Sequence, residues 1–209
     1  MAKLKIYTFP DLVLTQKAAP IQRVEKSMYK LADDMLETMY EAPGIGLAAN
    51  QVGILQRLLV IDTEYDYEEL PDGVSPPAGV EVFGGGIVTN RKPKIIINPE
   101  IIHKEGSILF AEGCLSVPEY TAEVKRAEKI KLRYQDIDGL THELAADGLL
   151  AIAIQHEMDH LEGKLFIDRL SSLKKEMARK KLRKERVERE AEDLFSVPLK
   201  SKSPKRKGF

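Results

Sequence analysis

The sequence predicts an α+β fold: short antiparallel strands packed around a central helix that carries the chemistry, followed by a C-terminal helix. Three observations predict it. Ile21, Val24, Met28, Leu31, Met35 and Met39 recur at helical spacing between Ile21 and Tyr40. Leu58-Leu59-Val60-Ile61 and Ile95-Ile96-Ile97 are short aliphatic runs of the kind that form buried strands. A second helical pattern runs from Gly148 to Glu162, and its apolar stretch, Leu149 to Ile154, predicts a central, largely buried helix.

Taken in order, the first helix ends at Pro43 and Gly44. The glycines that follow, Gly44, Gly46 and Gly53, read as a turn that lets backbone approach a ligand closely. Residues 63–92 are rich in Gly, Pro and acid, with Glu64, Asp66, Glu68, Glu69, Pro71-Asp72-Gly73 and Gly84-Gly85-Gly86. So long a stretch without regular structure is uncommon in a compact domain. Two readings stay open: a tolerated surface insertion, or a flap over a substrate cleft or partner contact. Further strands are predicted at Ser107–Phe110, Ala122–Lys125, Lys129–Tyr134 and His142–Ala146, with Asp138-Gly139 turning a hairpin between the last two. The second helix should close at Gly163.

After Leu170 the charge balance changes. Residues 171–209 carry 14 Lys/Arg against 6 Asp/Glu, a net of +8 in a chain whose total is −1. Leu173, Met177, Val187, Ala191 and Leu194 form a weak apolar stripe, predicting a partly docked helix to about Phe195. From Ser196, with Ser201-Lys202-Ser203-Pro204-Lys205-Arg206-Lys207, a disordered basic tail is expected. The organisation is therefore a main domain over residues 1–170, with the 63–92 segment inserted, and a basic helix and tail over 171–209.

With 209 residues, 43% of them hydrophobic, one good-sized core is expected. A single cysteine excludes a disulfide framework and fits a reducing compartment. No N-terminal stretch is apolar enough for a signal segment or membrane span, so a cytoplasmic protein without a membrane partner is the simplest expectation.

The chemistry is announced by His156-Glu157-Met158-Asp159-His160. Residues four apart on a helix lie one turn above each other, so both imidazoles can bind one cation. Glu157, about 100° around the axis, stays free to handle a proton. Hydrolytic sites take three protein ligands and leave one position for water. Glu176 and Glu185 lie in a solvated basic run, Phe166 stands where an extended three-histidine pattern needs its third histidine, and His103 and His142 lack ligand-like neighbours. The better third ligand is Cys114, in Glu112-Gly113-Cys114-Leu115-Ser116, a short Gly-containing loop flanked by glutamate and serine.

Three segments, Gly44-Ile45-Gly46-Leu47-Ala48-Ala49-Asn50-Gln51-Val52-Gly53, Glu112 to Ser116, and Gln155-His156-Glu157-Met158-Asp159-His160-Leu161, resemble in order the three motifs of the peptide deformylases. The resemblance runs from about Leu4 to about Leu173, interrupted between Thr63 and Pro93, and Asn50 stands where family members vary. It implies a hydrolase that removes the formyl group from the N-terminal methionine of nascent polypeptides and releases formate. Cys114, His156 and His160 would hold one divalent ion, and Glu157 would move the proton. The Gln51 amide and the Leu115 backbone N–H would stabilise the oxyanion. Ile45, Gly46, Glu112 through its stem, Leu115, Ile152, Ala153 and His156 would form the methionine slot, Ile152 and Ala153 being equally readable as plain core. One sulfur and two imidazoles suit zinc, iron, cobalt or nickel, and the resemblance implies ferrous iron, with Zn2+, Ni2+ or Co2+ as possible occupants. The basic C-terminal segment reads either as a plain solvated face or, on such an enzyme, as a contact with ribosomal RNA. A general metallopeptidase and a non-catalytic binding protein are the alternatives. The first would cleave unformylated peptides, and the second requires a missing ligand or base.

Overall fold

The alternation of side chains along a strand explains why Leu58–Ile61 is aliphatic throughout. Leu58 and Val60 pack with helix α1 (Lys26–Glu41), whereas Leu59 and Ile61 pack with helix α2 (Gly148–Leu161). A strand covered on both faces needs apolar residues at every position. In the computed structural model, residues 3–71, 73, 74, 76 and 80–196 are described, with side chains to residue 191. Among them a five-stranded antiparallel sheet has the order β1-β2-β6-β9-β10, formed by Gly46–Ala48, Leu58–Ile61, Lys94–Glu105, Lys129–Gln135 and Thr141–Asp147. Helices α1 and α2 lie on its opposite faces, each with its own apolar cluster.

The first helix starts at Lys26 rather than Ile21. Asn98, at φ +50, exchanges hydrogen bonds with both the N–H and the carbonyl of Ile21, which holds that residue out of helical conformation. Residues 63–92 differ more from expectation. Asp66–Glu69 (β3), Val82–Phe83 (β4) and Gly86–Thr89 (β5) form a separate antiparallel sheet of order β3-β5-β4, folded against α1 through Phe83 and Val88. The acids on β3 are its solvent side, and short strands between glycines hid the pairing.

Ile108–Cys114 (β7) and Val117–Arg126 (β8) form a two-stranded hairpin. Cys114 is thus the last residue of a strand, beyond a register irregularity at Glu112, and not part of a loop. A two-stranded sheet is marginal alone. This one rests on Leu165, Phe166 and Ile167 and on Ala178 and Leu182 of helix α3 (Ser172–Ser196).

The predicted stripe on α3 is not the docked one. Leu173, Met177 and Val187 are 69%, 64% and 66% exposed, while Ala178 and Leu182 are buried. Ion pairs choose the face: Lys175 and Arg179 bind Asp168, and Arg186 donates to the Thr8 hydroxyl. The side chain of Leu194 and the tail beyond Ser196 lie outside the described residues. Among the described residues no helix is long and apolar enough to cross a membrane.

Candidate active site

Helix α2 carries five of the site's side chains, Ile152, Ala153, His156, Glu157 and His160, and is buried on nearly every side. Ala151 and Ile154 are fully buried, and Gln155, His156, Glu157, Asp159 and His160 are all below one-tenth exposed. Its end is fixed by Gly163, whose φ of +68 reverses the chain where an added Cβ would meet the Thr15 carbonyl at 2.5 Å. The His156 and His160 rings sit with centroids 5.1 Å apart, and the β7 terminus brings Cys114 Sγ to 3.2 Å from His160 Nε2. One ligand atom from each of Cys114, His156 and His160 lies within 4.8 Å of the other two. In a tetrahedral site with bonds of about 2.0–2.3 Å, such atoms stand roughly 3.3–3.6 Å apart, so the trio could hold a metal ion. Burial, with the neighbouring His156, depresses the His160 pKa; burial also works to lower that of His156, but Cys114 and Glu112 outweigh it and hold it raised.

Glu157 is wedged against Gly46 of β1: a Cβ there would stand 2.5 Å from Glu157 Oε1. Its other oxygen, Oε2, is buried with no hydrogen-bond partner among the described residues. Burial pushes the carboxyl up to about 7, opposed by His156 and the Ala48 N–H. Gln51 is held by the Ala48 N–H on its Oε1 at 2.8 Å, which aims its amide at Ser116 Oγ, 3.1 Å away, and at Cys114 Sγ, 3.8 Å away. The sulfur, the free carboxylate and the amide face one cavity of about 460 Å³, whose walls include Gly44, Ile45, Leu115, Pro118, Leu149, Ile152 and Ala153. Ile45 and Leu149 form an exposed rim. Ala153 also belongs to the core cluster between α2 and the sheet, so one small residue serves both.

The structure therefore brings together Cys114, His156, His160, Glu157, Gln51, Leu115, Gly46, Ile45, Glu112, Ile152 and Ala153 around one cavity. His103 and His142 lie elsewhere, the latter against Asp136 at 2.5 Å, and Glu176 and Glu185 are on α3. Glu112 does more than line the wall. Its Oε2 accepts from His156 Nδ1 at 2.8 Å, which presents the opposite ring nitrogen to the ligand cluster.

Sequence reasoning missed the support behind Glu112. Arg126, buried at the end of β8, donates through Nε and Nη2 to Glu112 at 2.6 and 2.8 Å and through Nη1 to Asp159 at 2.6 Å. Arg169 holds Asp159 from the other side. Burial works to raise both carboxyls, but the guanidinium groups, with His156 at Glu112, outweigh it and hold both below the usual carboxylate range. The signal was available: Arg126 continues the inward phase of Ala122 and Val124, where a charge demands a partner.

A family model described as Polypeptide deformylase matches residues 3–176. The chain belongs to this family. Its members are enzymes that remove N-formyl groups from nascent peptides. The chain is 49% identical over 189 residues to Peptide deformylase 2 of Xanthomonas axonopodis pv. citri, covering 89% of this chain and 98% of that protein. With the peptide deformylase of Syntrophobacter fumaroxidans the identity is 46% over 184 residues, covering 88% and 96%. Among solved structures, the peptide deformylase of Legionella pneumophila superposes with a TM-score of 0.74 at 40% identity, covering 90% of this chain and 98% of that one. That of Ehrlichia chaffeensis in complex with actinonin gives 0.72 at 36%, covering 88% and 98%. These relatives have the antiparallel α+β deformylase fold described above.

Proposed function

We propose that this deformylase is a metal-dependent hydrolase that takes the formyl group from the N-terminal formyl-methionine of nascent polypeptides and releases formate. The observation that carries the reading is the convergence of Cys114, His156 and His160 beside a buried carboxylate oxygen that has no partner, on the wall of one apolar cavity. The ligand set suits a divalent ion, which supplies Lewis acidity and lowers the pKa of water from about 15.7 towards about 7.

The chain's own residues do the rest. Glu157, with a pKa near neutrality, takes a proton from the attacking water and passes it to the departing amine. The Gln51 amide, aimed into the cavity by the Ala48 N–H, donates to the formyl oxygen as charge builds, together with the Leu115 N–H. Gly46 has no side chain because Glu157 occupies that space. Ile45, the Glu112 stem, Leu115, Ile152 and Ala153 receive the flexible methionine side chain.

Ferrous iron is the physiological ion in this reading, with Zn2+, Ni2+ or Co2+ as substitutes. Residues 1–170 carry every side chain of the site, with residues 63–92 inserted, and the basic segment 171–209, besides supporting the Cys114 hairpin through α3, meets ribosomal RNA in the cytoplasm. If truncation at Ser171 leaves ribosome co-sedimentation at low salt intact, that contact is refuted. The central test is metal analysis of anaerobically purified protein, with a formyl-methionyl tripeptide assayed against its free-amine counterpart. Stoichiometric iron, turnover of the formylated peptide alone, and activity lost in air and restored by anaerobic iron are expected. Cleavage of the unformylated peptide, or turnover without metal, refutes the reading.

A further inference from the structure

The small β3-β5-β4 sheet sits outside the catalytic machinery, yet it is tied to the backbone that forms one wall of the cavity. The bend after α1, residues 42–46, carries Gly44 and Ile45 into that wall and Gly46 against Glu157. The inserted segment holds one of its carbonyls, and Asp62, just before the segment and continuing the β1–β2 pairing, holds the next. The Tyr65 hydroxyl donates to the Gly44 carbonyl at 3.1 Å, and the Asp62 backbone N–H donates to the Ile45 carbonyl at 3.0 Å.

Asp62 is the anchor for both ends of the insertion. Its buried carboxylate accepts from Glu64 N–H at 3.0 Å, Lys92 N–H at 2.7 Å and the Tyr40 hydroxyl at 2.7 Å. The far tip is seated as well. Gly84, at φ +57, packs so closely on α1's end that an added Cβ would meet the Glu41 carbonyl at 2.4 Å, and its N–H donates to Glu41 Oε2. Tyr65 and Phe83 pack on Tyr40, with centroids at 5.1 and 5.9 Å. A surface insertion that was merely tolerated would not need to grip the chain at Glu41 and again at Gly44.

We propose that the inserted sheet is a brace that sets the substrate wall at Gly44–Ile45, with Tyr65 as a positioning residue for peptide binding. The inference rests on the deformylase reading of the cavity. Tyr65 touches no substrate; it acts through the carbonyl it holds. Removing only its hydroxyl leaves the ring on Tyr40 but takes the donor from the Gly44 carbonyl, so this stretch of wall samples positions that must be reordered when the peptide binds.

The test compares the wild-type chain with Tyr65→Phe and Gly84→Ala, using Tyr134→Phe as a control on the far side of the five-stranded sheet. Turnover of a formyl-methionyl tripeptide, thermal melting, and hydrogen exchange of the segment 42–48 are measured on each. One lost hydrogen bond should lower kcat/KM about three- to tenfold for Tyr65→Phe, carried by KM. Exchange should quicken in 42–48 while β9 and β10 keep their protection, and Gly84→Ala should move in the same direction. Wild-type KM with unchanged exchange in Tyr65→Phe overturns the proposal, as does a loss of activity that only follows a fall in melting temperature. Absence of turnover in the wild type would instead refute the deformylase reading, while the exchange arm still decides whether the brace exists.

Discussion

Replacing Arg126 by methionine tests whether the charges behind the proposed metal ligands hold the site in place. One guanidinium, its side chain 1% exposed, makes two bonds to Glu112 and one to Asp159. Asp159 would keep Arg169, so the damage concentrates on Glu112, which would keep only His156. Breaking a buried pair from one side costs about 3–5 kcal/mol, and the surviving Arg169 contact places this case near the lower end. At roughly 2–4 °C per kcal/mol for a chain of this length, the Tm should fall by about 6–12 °C. A second effect follows from the Glu112–His156 hydrogen bond. Loosening the group that orients a metal-binding histidine lowers metal affinity about 10–100-fold. Thermal melts of chelated protein give the first number free of ligand stabilisation, and a zinc titration against a chromophoric chelator gives the second. Arg126→Lys should rescue little, because an ammonium cannot span both carboxylates as the fork does. An Arg126→Met protein with wild-type melting and wild-type zinc affinity would refute the reasoning.

Gly46→Ala places a methyl group 2.5 Å from Glu157 Oε1 and forces that carboxylate aside, so turnover should fall by at least about a hundredfold while zinc is still bound; steady-state kinetics with metal analysis checks this. Gln51→Ala should lower kcat by about two to three powers of ten with little change in KM, read from the same assay. Burial tends to raise Asp168, but Lys175, the Leu165 N–H and Arg179 outweigh it and depress its pKa. Its contribution is therefore complete above the unfolded value of about 3.9 and fades as pH falls through the folded one. Asp168→Asn should speed hydrogen exchange across α3 at neutral pH, and the difference from wild type should vanish in acid.

Much of this was legible in the chain. The spacing of His156 and His160 places two imidazoles on one helical turn, and the structure brings the lone cysteine, the third ligand the sequence proposed, beside them. Strand positions followed from aliphatic runs with both faces buried, as at Leu58–Ile61. What escaped depends on partners far away in sequence. Arg126 and Asp159 are 33 residues apart and join only when β8 crosses α2. The inserted sheet escaped because its strands are two to four residues long and its glycines read as loop. On α3 the apolar count pointed to Leu173 and Met177, but the salt links to Asp168 and the small Ala178 decide which side approaches the hairpin.

The hairpin that ends in Cys114 has its underside on Ala178 and Leu182. A segment that by charge looks like a disposable appendage is thus the floor beneath the sulfur. Shortened versions of this enzyme should keep the chain through at least Arg186, whose tether to Thr8 closes the last turn of that floor. Cutting earlier would remove a support and let the thiol-bearing strand sag away from the imidazoles, even though every residue that touches substrate had been preserved.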